Sequence, residues 1–161
     1  MAHFTLKTGG FSLIELLVSV LIIAIAVLGL VTLQTASLRG NNAAYLRTQA
    51  VFIAGDIISR MMSNPDGVEA GAYAGADSAS PPSDPGCITT GCTSILLADQ
   101  DIREWSQYFS NVLGVTNYSS TLPNASGTIT ATGNLYEVSV SWSEASAAGV
   151  EPQTLTVQVN L

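Results

Sequence analysis

Beyond residue 7 the sequence contains no histidine and no lysine; the one histidine is His3 and the one lysine is Lys7. That absence removes Ser-His-Asp and Cys-His nucleophilic sites, Schiff-base chemistry and histidine-ligated zinc from anything built out of the rest of the chain. Positive charge is scarce throughout, with five Lys and Arg against twelve Asp and Glu and a net charge of −7. Nucleic-acid binding takes most of its strength from neutralising phosphates, so no nucleic-acid partner is expected of so acidic a chain. Arg39, Arg47 and Arg60 read as ordinary helix-surface charges. No glycine-rich phosphate loop is present, and the closest pair of carboxylates, Asp99 and Asp101, would face different ways on a helix. The chain reads as non-enzymatic, with no cofactor and no metal site expected.

What the sequence has in abundance is one apolar run. Residues 16–38 carry no charge, and as a helix they would be roughly 35 Å long, enough to cross a hydrocarbon core of about 30 Å. The Leu, Ile and Val side chains between Leu16 and Leu33 together favour insertion by about 5 kcal/mol. Glu15, just ahead of them, opposes it by at most ~3 kcal/mol. The segment should therefore enter a lipid bilayer despite its acid. By itself, that acid reads as a favourable charge at the positive end of a helix dipole, worth up to about 1 kcal/mol.

What precedes the run gives Glu15 a sharper meaning. Residues 1–10 are short and polar, carry Lys7 and end in Gly9-Gly10. The apolar block follows these glycines, whereas a secretory signal has its block before the cleavage site. Ala24-Ile25-Ala26 has the form of a secretory cleavage site, but apolar residues continue past it and an acid inside such a signal is unusual. Gly10, Phe11, Ser12, Leu13, Ile14 and Glu15 resemble, position by position, the junction of a type IV prepilin.

That resemblance implies cleavage between Gly10 and Phe11 by prepilin peptidase, followed by N-methylation of Phe11. Loss of Lys7 with the leader would take the net charge from −7 to −8. The amine of Phe11 would stay protonated near neutral pH, given a reference pKa of about 8. The family's expectation is that Glu15 pairs with that amine on a neighbouring subunit and sets axial register. Phe11 and Glu15 are also four residues apart, on one helix face, so an intrasubunit pair stays open. The implied location is the bacterial inner membrane, N-terminus cytoplasmic and head periplasmic, and then the pilus surface. Lys7 favours that orientation, while Arg39 and Arg47 on the far side oppose it.

Downstream, Leu46, Ala50, Ile53, Ile57 and Met61 make one apolar stripe. The helix is expected to run to Ser63, with a weak point at Gly40-Asn41-Asn42, an Asp56–Arg60 pair, and a stop enforced by Pro65. Leu33-Gln34, Ser37-Leu38-Arg39, Ala44 through Ala50, Asp56-Ile57, Arg60-Met61 and Asn64-Pro65 are similar to the minor pilins of the type IV pilus modification protein PilV family. Residues 66–93 are rich in Gly, Ala, Ser, Pro and Asp and read as a surface loop. Within it lie Cys87 and Cys92, which in an exported chain with no histidine beyond its leader read as a disulfide. A second amphipathic helix is expected over residues 99–113, carrying Ile102, Trp105, Phe109 and Val112 and ending at Gly114. Three strands follow: residues 128–132, a turn at Gly133-Asn134, alternation from Tyr136 to Trp142, a loop through Pro152, and alternation from Leu155 to Leu161. Asn117-Tyr118-Ser119 and Asn124-Ala125-Ser126 match glycosylation acceptors, a triplet common by chance.

The fold expected is α+β, a pilin fold in which a long N-terminal helix packs against a small antiparallel sheet. Its parts would be a leader (1–10), a hydrophobic helix serving as membrane anchor and filament core (11–38), an amphipathic half (39–64) and a periplasmic head (65–161). The expected role is that of a minor pilin priming or modifying pilus assembly. Its implied partners are prepilin peptidase, other minor and major pilins, the inner-membrane assembly platform and the lipid bilayer. A type II secretion pseudopilin and a tip-located adhesin, binding through residues 66–93, are the alternatives.

Overall fold

The computed structural model describes residues 10, 12–146 and 149–161. In chain order they form α1 (Leu13–Ser63), α2 (Pro65–Glu69), α3 (Cys87–Thr90), α4 (Ser94–Ser106), β1 (Ser126–Thr132), β2 (Leu135–Ala145) and β3 (Val150–Asn160). The contacts divide the chain into two units, Met1–Gly40 and Asn41–Leu161. The first contains the start of α1. Ser12 opens that helix, its carbonyl accepting from Glu15 N at 3.0 Å and Leu16 N at 3.2 Å.

The second unit is an α+β head, with the later half of α1 packed against a three-stranded antiparallel sheet. α1 stays helical through Gly40-Asn41-Asn42, where propensity alone suggested a bend. It stops at Ser63, because the residue before Pro65 is pushed out of helical geometry; Asn64 has φ −128° and ψ 64°. The buried stripe is Leu46, Ala50, Ile53, Ala54, Ile57 and Met61. Facing it are Ile129, Tyr136, Val138, Val140 and Trp142, alternate residues of β1 and β2 and so on one side of the sheet.

The sheet order is β1-β2-β3. Gly133, at φ +60°, turns β1 into β2, a conformation that glycine adopts without a steric penalty. β3 starts earlier than its alternation suggests, at Val150, and Pro152 lies within it opposite Ser143 rather than in a loop. An edge strand tolerates proline wherever the missing N–H would have faced away from the neighbouring strand.

The expected helix over residues 99–113 is displaced. α4 begins at Ser94, because Thr93 caps it: its Oγ1 accepts from Leu96 N and its carbonyl from Leu97 N. It ends at Ser106, after which Gln107, Tyr108 and Phe109 bond to carbonyls three residues back in tighter turns. Phe109 remains in the core after the helix has ended, so apolar spacing ran on past the true stop. Trp105 is fully buried, donates from Nε1 to the carbonyl of Ile53 at 3.0 Å, and meets Phe109 edge-on with ring centroids 5.0 Å apart. Gly127 of β1 lies under these two rings, and a Cβ there would collide with both.

Residues 66–93 are not simply a surface loop. Asn64 caps α2 by accepting from Gly67 N, with Pro65 in the first turn. Val68, Tyr73 and Ser78 are buried, Tyr73 completely. Only the later part of the segment runs on the surface, where Cys87 and Cys92 are joined by a disulfide with Cα atoms 5.0 Å apart. Closing so short a loop removes unfolded-chain freedom worth on the order of 2 kcal/mol.

Candidate functional site

Two places in the chain concentrate chemistry. The first is the start of α1. Gly10 is exposed, Phe11 lies outside the described residues, and Glu15 is an exposed acid in the helix's first turn. An acid there is favoured by the unpaired N–H groups of a helix start. Glu15 makes no ion pair among the described residues. From Leu13 to Leu38 every Leu, Ile and Val is exposed. The hydroxyls of Ser19, Thr32 and Thr35 donate to carbonyls four residues back, at 2.7, 3.1 and 2.9 Å. None of these three therefore presents an unmet donor to an apolar surrounding. A helix apolar all the way round is at home in lipid or among other apolar helices, and this one is long enough to span a membrane.

The second place is a polar cluster inside the head, built on Arg60. Its Nε donates to Asp56 at 3.1 Å, and its Nη1 to Asp101 at 3.2 Å and to Glu104 at 2.7 Å. Tyr73 Oη donates to the other Asp101 oxygen at 2.6 Å, and Asn64 Nδ2 donates to Tyr73 Oη at 3.1 Å and to the Ser94 carbonyl at 2.7 Å. Gln100 holds the second Glu104 oxygen at 2.7 Å. The cluster fastens α1, the segment after α2, and α4 to one another. Partial burial works against the Arg60 charge, but the hydrogen bond to Glu104 and the charge of Asp56 more than offset it and raise its pKa further above the ordinary arginine value. The bond from Gln100, helped by Arg60, lowers the Glu104 carboxyl. Burial, then the bond to Asp101, pushes the Tyr73 phenol well above its usual range.

The raised phenol has a consequence at high pH. Below about pH 10 Tyr73 is neutral both folded and unfolded. Above it the unfolded chain ionises while folded Tyr73 does not, so stability falls by about 1.4 kcal/mol for each pH unit. Tyr73→Phe is expected to weaken the head by about 1–3 kcal/mol near neutrality, since Asp101 and Asn64 lose a partner. Between pH 10 and 11 the variant's decline should be shallower than the wild type's by about 1 kcal/mol, since the unfolded phenol is only half ionised at pH 10. Urea unfolding at stepped pH checks both; equal slopes would mean that Tyr73 ionises freely in the folded head.

Of the expected site residues, Cys87 and Cys92 are bonded to each other, while Gly10 and Glu15 stand at the start of α1. The Asp56–Arg60 pair was legible at four-residue spacing; Asp101 and Glu104 join it only because α4 docks beside α1. Asp101 rather than Asp99 faces this cluster. Tyr73 was the one aromatic of the segment suggested as an adhesive loop, and its burial removes it from any binding surface there. No group of three or more His, Cys, Asp or Glu side chains suited to holding a metal ion occurs among the described residues.

The prokaryotic N-terminal methylation motif matches residues 5–31, spanning the Gly10–Phe11 junction and most of the apolar run and none of the head. No curated protein and no solved structure matches the chain. The motif supports a protein of pilin or pseudopilin type, and the open apolar helix that it covers is long and apolar enough to anchor such a protein in a membrane. They imply processing by prepilin peptidase and assembly with other pilins.

Proposed function

We propose that the chain is a minor pilin of the type IV pilus, a structural subunit that primes or modifies assembly after cleavage at Gly10–Phe11 and methylation of Phe11. The observation that carries this reading is Gly10-Phe11-Ser12-Leu13-Ile14-Glu15 at the head of a helix whose Leu, Ile and Val side chains from Leu13 to Leu38 are all exposed. In the membrane those side chains meet lipid; in a filament they meet other such helices. Exchanging one for the other involves little hydrophobic gain, so packing and charge decide the outcome. Glu15 is then the charge that fixes register, paired with the amine of Phe11. The head remains periplasmic until the subunit is drawn from the membrane by the assembly platform, together with other minor and major pilins.

The resemblance of residues 33–65 to the PilV family favours this subgroup. A type II secretion pseudopilin carries the same N-terminal motif, and a deletion strain separates the two: loss of twitching supports the pilus, loss of exoprotein secretion the secretion system. The reading itself is tested by mass and N-terminal sequencing of protein extracted from membranes of cells with active peptidase. The expected start is methylated Phe11. A chain starting at Val27, or one retaining Met1, would overturn it.

A further inference from the structure

The sheet has two edges, β1 and β3, and the chain treats them differently. Leu161 N donates to the carbonyl of Asn134, so by the antiparallel alternation the odd-numbered residues of β3 turn their backbone groups toward β2. Thr154, Thr156, Gln158 and Asn160 turn theirs away. The same alternation turns Gly127 and Ile129 outward on β1, and there the groups are taken. Gly75 N donates to Ile129 O, Ile129 N to Ala76 O and Ser78 N to Gly127 O, each at 2.9 Å. No backbone bond among the described residues meets the outward groups of β3. Pro152 also sits at an outward position, where its missing N–H costs no bond to β2.

Three further features lie along this open edge. Leu155, Val157 and Val159 are only half-buried, although their partners Val140, Val138 and Tyr136 are buried, so the apolar side of the sheet is one strand short. Natural proteins guard such edges with charge, yet residues 152–160 carry none. At the start of the edge, Glu151 lies directly across from Glu144 on the same side of the sheet, and neither is in an ion pair among the described residues. Like charges so placed repel. Beside them opens a cleft of about 350 Å³, lined by Arg47, Trp142, Glu144, Gln153 and Thr154 among others. The buried Trp142 indole N–H has no hydrogen-bond partner among the described residues.

We infer that β3 receives a strand from a different protein subunit. That strand is extended and carries apolar side chains at alternate positions, against Leu155, Val157 and Val159. Its end carries a lysine or arginine, seated beside Glu151 and Glu144. The four outward residues supply the backbone bonds, and the acid pair fixes which end of the incoming segment lies where. A second copy of this chain does not meet the requirement, because its own β3 offers no cation.

The test uses the full-length protein in detergent micelles and amide hydrogen exchange read residue by residue. Free, the amides of Leu155, Val157 and Val159 should exchange slowly and those of Thr154, Thr156, Gln158 and Asn160 fast. The probes are short blocked peptides alternating threonine and valine, with lysine at one end or the other. One of them should slow the four outward amides by about tenfold or more, and its glutamate-ended counterpart should not. Thr156→Pro repeats the outward proline already present at 152, so β2–β3 pairing should persist while the peptide effect is lost. The wild-type comparison stands even if that variant fails to fold. Absence of slowing, or equal slowing by lysine- and glutamate-ended peptides, would overturn the inference. So would outward amides that slow with rising protein concentration and no peptide, which would identify a second copy as the occupant.

Discussion

Trp105→Ala is expected to cost the head about 3–5 kcal/mol, a large share of the roughly 5–15 kcal/mol that holds a typical domain together. Trp105 is fully enclosed, and three separate contacts end with it. The indole N–H no longer reaches the Ile53 carbonyl, the edge-on contact with Phe109 disappears, and the space above Gly127 empties. For a unit of this size the midpoint of thermal unfolding should fall by about 10–20 °C. The measurement is urea or thermal unfolding of full-length protein in detergent, followed by near-ultraviolet circular dichroism.

A second substitution separates packing from the mere loss of an aromatic. Gly127→Ala alone drives a methyl group into the two rings and should cost about 1–3 kcal/mol. In the Trp105→Ala background the ring that the methyl would strike first is gone, so the double variant should be more stable than the sum of the two losses. Strict additivity would mean that the ring over Gly127 does not determine which residue fits there.

The contrast between Trp105 and Tyr73 shows what could be read in advance. Trp105 belongs to an apolar series spaced for one helix face, as do Leu46, Ala50, Ile53, Ile57 and Met61, and periodicity identifies such residues without knowledge of their partners. The alternation from Tyr136 to Trp142 works in the same way for the sheet. Tyr73 lies in a run of Gly, Ala, Ser and Asp with no period at all. Its burial depends on Asp101 and Asn64, which reach it only after α4 and α2 are in place. The starts of those two helices rest on single capping residues, Thr93 and Asn64, set in sequence whose composition suggests a loop. Asn64-Pro65-Asp66 did carry a usable signal: a capping side chain, a first-turn proline and a first-turn acid. Pro152 misled in the opposite direction, since a proline marks a loop until the edge position of its strand is known.

At the other end of the chain, Glu15→Gln is expected to leave the protein in the membrane but largely absent from filaments. The carboxylate opposes insertion by at most ~3 kcal/mol, so its removal leaves anchoring unchanged or stronger. Assembly runs the other way. If the Phe11 amine enters the filament core with Glu15 as its partner, the amide leaves that cation unpaired at a cost of about 3–5 kcal/mol. That corresponds to a fall of roughly 150- to 4,000-fold in incorporation relative to the membrane pool. Immunoblots of sheared filaments and of the membrane fraction from the same cells measure the ratio directly. The dipole of the helix start offers the competing account of Glu15, but it is worth only about 1 kcal/mol, less than a tenfold change. A deficit of a hundredfold with an intact membrane pool therefore belongs to the charge pair, and a ratio near the wild type's would leave Glu15 as no more than a well-placed acid at the start of α1.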